Sequence, residues 1–134
     1  MITVGDQASL TREITEESIA LFAQASGDNN PIHVDAAYAS QSSFGRRIAH
    51  GMLTASLISA VISSELPGPG SLYLKQSLQF KQPVYIGDMI TASVEVVKYH
   101  DRRRLATLHT SCVNQHGVVV LTGEALVQLP DEQA

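Results

Sequence analysis

The chain has 134 residues, with 9 Lys plus Arg against 13 Asp plus Glu, for a formal net charge of −4. That length suits one domain, residues 1–134, with a core of its own, and a composition 44% hydrophobic and 16% charged is that of a globular chain rather than a disordered one. The acidic balance argues against duplex DNA or an anionic membrane as the main partner, because both reward a basic surface; a single cysteine excludes an internal disulfide.

The first predicted element is a strand near Ala8–Ile14. A helix follows: Thr15 is a good N-cap, and Glu16 and Glu17 sit where the positive end of the helix dipole favours them. Ile14 and Ile19 have the spacing of a hydrophobic staple, and Gly27 is placed to end the helix. In Asp28-Asn29-Asn30-Pro31-Ile32-His33-Val34-Asp35 the proline biases Asn30 away from helical dihedrals, which predicts an ordered loop. A short helical turn is expected around Ala36–Ser40. His50–Leu66 has almost no polar face, only small hydroxyls among Met52, Leu53, Ile58, Val61 and Ile62. It predicts a helix buried on all sides, stopped by Pro67-Gly68-Pro69-Gly70. From Ser71 the period changes to two, with Leu72, Leu74, Leu78 and Phe80 alternating with polar residues; Pro83 and Gly87-Asp88 then mark a bend and a turn. Ile90 to Val96 alternate again. Two more strands are expected near Leu105–Val113 and Val118–Leu129, joined by a turn at Asn114–Gly117. The order predicts an α+β fold, a curved antiparallel sheet wrapped round one central buried helix.

No run is apolar enough for a confident membrane span and no N-terminal stretch reads as a secretory signal, so the expected location is the cytoplasm. Asp28 and His33 could converge across the proline, and a carboxylate and an imidazole facing one spot are what activation of a water requires. Taken singly, Asp28 reads first as a turn residue and His33 as a bonded structural side chain. Gly51 opens the long helix, where the first amides have no internal partner and the dipole adds positive potential; its N–H is a candidate oxyanion donor, against a plain helix start. Ser59, mid-helix, fits either a bond back to a carbonyl or a support for a catalytic group. The remaining histidines show no metal-ligand spacing, so no metal is expected. Arg102-Arg103-Arg104 reads as a solvated hairpin end. Ile58, Ile62 and Val127 are apolar residues on elements expected to be buried, and such residues are core by default.

Asp28-x-Asn30-Pro31-x-His33-x-Asp35, followed by His50-Gly51-Met52 and then Phe80, Pro83 and Gly87-Asp88, resembles the MaoC-like hydratases. Within these it looks most like the (R)-specific enoyl-CoA hydratases that supply polyhydroxyalkanoate synthesis. The resemblance implies a hot-dog fold, a homodimer with the acyl tunnel near the subunit interface, and reversible syn addition of water to a trans-2-enoyl-CoA, without metal or organic cofactor. It implies Asp28 and His33 as the catalytic pair, with Gly51 and Ser59 as oxyanion and supporting groups. Asn30 is assigned to shaping the loop and, with Ile58, Ile62 and Val127 as candidates for lining the acyl tunnel, to binding the substrate. Alternatives are a hydratase or dehydratase of carrier-protein-linked, branched or dicarboxylic thioesters, a hot-dog thioesterase, and a non-catalytic acyl-CoA-binding module.

Overall fold

A computed structural model describes residues 2–131; residues 1 and 132–134 of the expected 1–134 domain lie outside the described residues. β1 spans Gln7–Glu13 and α1 spans Glu16–Ser26. The Thr15 hydroxyl accepts from the Ser18 amide and the Ser18 hydroxyl accepts from the Thr15 amide, each at 3.0 Å, a reciprocal cap. Ile14 and Ile19 are both 1% exposed, and Gly27 closes the helix at φ 80°, a left-handed dihedral that favours glycine.

The loop expected after Gly27 contains a helical turn, α2, at Pro31–Val34. The residue before a proline avoids the helical region, but a proline is at home in the first helical position. Asn30 therefore serves as the cap, its Oδ1 accepting from the Ile32 amide at 3.2 Å. α3 follows at Ala36–Ser40, where a turn was expected.

α4 spans Gly51–Ser64. Ile58 and Val61 are fully buried, Ile62 and Leu53 nearly so, and the helix packs on β4 (Met89–His100), β5 (Leu105–Val113) and β1. It is not buried on all sides: Met52 is 55% exposed, and Ser56 and Ser63 are also open to solvent. The apolar pattern ran round the helix because one apolar edge faces outward in the isolated chain.

β2 (Leu72–Gln76), β3 (Gln79–Phe80) and β6 (Val119–Gln128) complete an antiparallel sheet with the order β1-β4-β5-β6-β2, β3 pairing with β6. The alternating run from Leu72 is thus two strands, with a register shift between Tyr73 and Lys75. Further irregularities in β4 and against β6 bend the sheet, so that it curves over α4. One connected core joins α4 to the inward faces of β4, β5 and β6. The Asp88 carboxylate holds the turn before β4, accepting from the Tyr85 amide and from Gln115 Nε2, each at 2.9 Å. No helix among the described residues is long and apolar enough to cross a membrane.

Candidate active site

Asp28 follows the left-handed glycine directly, which turns the chain out of α1 and across the start of α4. Its Oδ1 accepts from the Asn30 amide at 3.3 Å, a local turn that leaves Oδ2 for the cavity beside it. α2 then presents His33, which is 8% exposed. His33 Nδ1 lies 2.8 Å from the Ile48 carbonyl. A carbonyl can only accept, so Nδ1 carries a hydrogen, and in the neutral ring Nε2 then keeps its lone pair. Ile48 is itself tied back through its amide to the Ile32 carbonyl at 3.2 Å.

His50, the residue before α4, is 2% exposed. Its Nε2–H donates to the Asp28 carbonyl at 2.9 Å, which by the same logic leaves Nδ1 unprotonated; that atom is buried with no hydrogen-bond partner among the described residues. The His33 and His50 rings stack with centroids 4.0 Å apart, and Phe22 covers His50 at 4.8 Å. Asp28, His33 and His50 offer donor atoms within 4.8 Å of one another. Each ring spends one nitrogen on a backbone carbonyl, which leaves one nitrogen of each, with the Asp28 carboxylate, for a water or a metal.

His50 makes no side-chain cap at the helix start, and the Gly51 and Met52 amides have no backbone acceptor among the described residues. Asp28, His33 and Gly51 line one cavity of about 500 Å³. Its walls are mostly apolar, with Phe44, Phe80, Val84 and Leu121 among them. A Cβ on Gly51 would stand 2.7 Å from the Phe80 ring, so glycine here keeps the amide and the ring close. The site can therefore take an elongated apolar ligand, hold a water between a carboxylate and an imidazole, and offer unpaired N–H groups to a developing negative oxygen.

Other expected residues lie elsewhere. Asn30 is not among the cavity residues; its side chain caps α2. Ile58, Ile62 and Val127 are packed in the core at 0–2% exposure and are not among the residues that line this cavity. Ser59 opens onto a separate groove of about 330 Å³ with Met52, Tyr73 and Leu74. Arg102 and Arg103 are exposed at the β4–β5 turn, away from the cavity wall. The sequence reading missed His50 and Thr54. His50 stood inside the quoted His50-Gly51-Met52 motif, where only the glycine amide drew attention; nothing local marked Thr54.

The MaoC like domain family matches residues 4–116. The (R)-specific enoyl-CoA hydratase of Rhodospirillum rubrum is 49% identical over 129 residues, covering 96% of this chain and 89% of that protein. The (R)-specific enoyl-CoA hydratase of Aeromonas caviae is 46% identical over 129 residues, covering 96% of each. The solved structure of the A. caviae (R)-hydratase involved in PHA biosynthesis aligns with a TM-score of 0.93 over 96% of this chain and 98% of that one.

Proposed function

The chain belongs to the MaoC-like domain family, and from that premise we propose that it is a lyase, an (R)-specific 2-enoyl-CoA hydratase. It adds water reversibly to a trans-2-enoyl-CoA and yields the (R)-3-hydroxyacyl-CoA. The observation that carries the reading is the cavity itself, in which a carboxylate, an imidazole with a free Nε2 and unpaired helix amides face the same space.

In the proposed mechanism one water sits between Asp28 and His33. Asp28 takes a proton as the water oxygen bonds to C3 of the enoyl thioester. The C2–C3 π pair moves toward the thioester carbonyl, whose oxygen gains negative charge and is held by the Gly51 amide. As the carbonyl re-forms, C2 takes up on the same face the proton that Asp28 removed from the water, relayed through His33 Nε2, which leaves Asp28 ionised again. Each group is oriented before reaction: His33 by the Ile48 carbonyl, Asp28 by the Asn30 amide and by His50.

The test is hydration of crotonyl-CoA, followed by loss of the conjugated thioester absorbance, with chiral analysis of the product. Wild-type chain should give the (R) alcohol. Asp28→Asn should lower kcat by about 10²–10⁴-fold with an unchanged melting temperature, since the Asp28 side chain is exposed and carries no packing. Near-wild-type turnover by Asp28→Asn defeats the assignment.

A homodimer belongs to the same proposal. Edge strand β2 exposes Leu72 and Leu74 at 57% and 45%, beside the open Met52 edge of α4 and Phe80. The continuous core favours a single domain over residues 1–134. Supply of (R)-3-hydroxyacyl-CoA to polyhydroxyalkanoate synthesis is the proposed role.

A further inference from the structure

Thr54 lines the same cavity as Asp28, His33 and Gly51. It is 2% exposed, and its hydroxyl has no hydrogen-bond partner among the described residues. Hydroxyls on a helix ordinarily turn back onto a carbonyl one turn earlier. On α4, Ser56 does so to the Leu53 carbonyl at 2.5 Å, and Ser63 and Ser64 do so to Ala60 at 3.2 and 2.6 Å. Thr54 does not, although the His50 carbonyl is close enough to accept from the Thr54 amide at 3.3 Å. A buried hydroxyl left unpaired costs stability, so its rotamer makes sense where a ligand supplies the partner.

The place of that partner follows from helix geometry. Thr54 is three residues after Gly51, on the same face. Helical side chains lean toward the N-terminus, so the Thr54 side chain covers the turn that begins at Gly51. The two donors, one backbone N–H and one side-chain O–H, thus flank one stretch of the cavity wall.

We propose that Thr54 is a further catalytic residue, its hydroxyl donating to the thioester carbonyl oxygen beside the Gly51 amide. The proposal rests on the enoyl-thioester reading above. As the water oxygen bonds to C3, the carbonyl oxygen gains the displaced electron pair. Two donors then share that charge, and the Thr54 proton stays on Thr54 throughout. Substrate in its ground state carries little charge on that oxygen, so the hydroxyl acts mainly on kcat.

The test compares Thr54→Val and Thr54→Ser with wild type on crotonyl-CoA, with melting temperatures measured alongside. Thr54→Val keeps the shape and removes the hydroxyl. Its kcat should fall by roughly 10²-fold, the usual effect of removing one oxyanion donor, with KM little changed. Its melting temperature should stay level or rise, because an unpaired buried hydroxyl has gone. Thr54→Ser should recover most of the rate. Active wild type with an equally active Thr54→Val overturns the proposal alone. So does a Thr54→Val chain that melts earlier than wild type, because the hydroxyl is then bonded within the protein. Wild-type chain unable to hydrate crotonyl-CoA overturns the functional reading and the proposal together.

Discussion

His50 lines the same cavity, donates Nε2–H to the Asp28 carbonyl and stacks on His33, so a single side chain touches both members of the proposed catalytic pair. Replacing it by leucine keeps an apolar body under Phe22 but frees the Asp28 loop. A misplacement of about 1 Å can cost roughly 10²-fold in rate, whereas one ordinary hydrogen bond is worth only about 0.5–1.5 kcal/mol. His50→Leu should therefore lose at least tenfold in kcat while unfolding within about 1.5 kcal/mol of wild type; stopped-assay kinetics beside urea titration separates the two. Cys112 has a different kind of role. Burial in the core penalises its thiolate and pushes the thiol from 9.0 up to about 12, so it stays protonated and unreactive at neutral pH. The folded state then favours the protonated thiol more than the unfolded chain does. Its stabilising effect is complete below 9.0 and lost as pH climbs toward about 12. Wild type should lose melting temperature over that window more steeply than Cys112→Val, which has no thiol to ionise.

At the scale of elements, Gly123 of β6 decides where the run from Leu72 to Phe80 breaks. A Cβ on Gly123 would lie 1.8 Å from the Ser77 carbonyl oxygen, a backbone atom that cannot swing aside. The link between β2 and β3 is fastened at that spot, the Ser77 amide donating to the Glu124 carbonyl at 2.9 Å and the Glu124 amide to Ser77 Oγ at 3.0 Å. Gly123→Ala should push the link off the sheet and cost about 1–3 kcal/mol, the usual range for overpacking, read as a lower urea midpoint. The same pair of elements marks a limit of sequence reading. β1, the cap at Thr15, β4, β5 and β6 were legible because each follows from periodicity or turn chemistry within its own segment. The break at Ser77 was not, because the residue that imposes it lies 46 positions later in the chain. α2 was misread as loop for a local reason: Pro31 was weighed for what it forbids before it, not for what it permits after it.

For the whole molecule, the candidate site divides in the same way. Asp28, His33 and Gly51 were legible as a motif because two of them share one short loop and the third opens the next long helix. The cavity walls were not, since Phe44, Phe80 and Leu121 arrive from separate segments that only the folded sheet brings together. Nor could the pattern of α4 tell a helix buried on all sides from one that leaves an apolar edge exposed. In the isolated chain Met52, Leu72, Leu74 and Phe80 stand 45–57% exposed, and Met52 and Leu74 share the groove onto which Ser59 opens. β2 is an edge strand whose side chains are almost all exposed, and an uncovered apolar edge of that kind is a hazard in a monomer. A second copy of the chain would bury it, and an interface of the standard size, about 1,600 Å² in total, is within reach of a strand, a helix edge and the neighbouring loops. Sedimentation equilibrium should return twice the monomer mass for wild type. Leu74→Glu puts a charge in the middle of the patch without touching the core, because Leu74 points outward already; it should shift the equilibrium toward monomer while leaving the fold intact by circular dichroism. A wild-type chain that stays monomeric at high concentration would overturn the dimer, and a Leu74→Glu chain that remains dimeric would place the interface elsewhere and leave the groove beside Ser59 to another ligand.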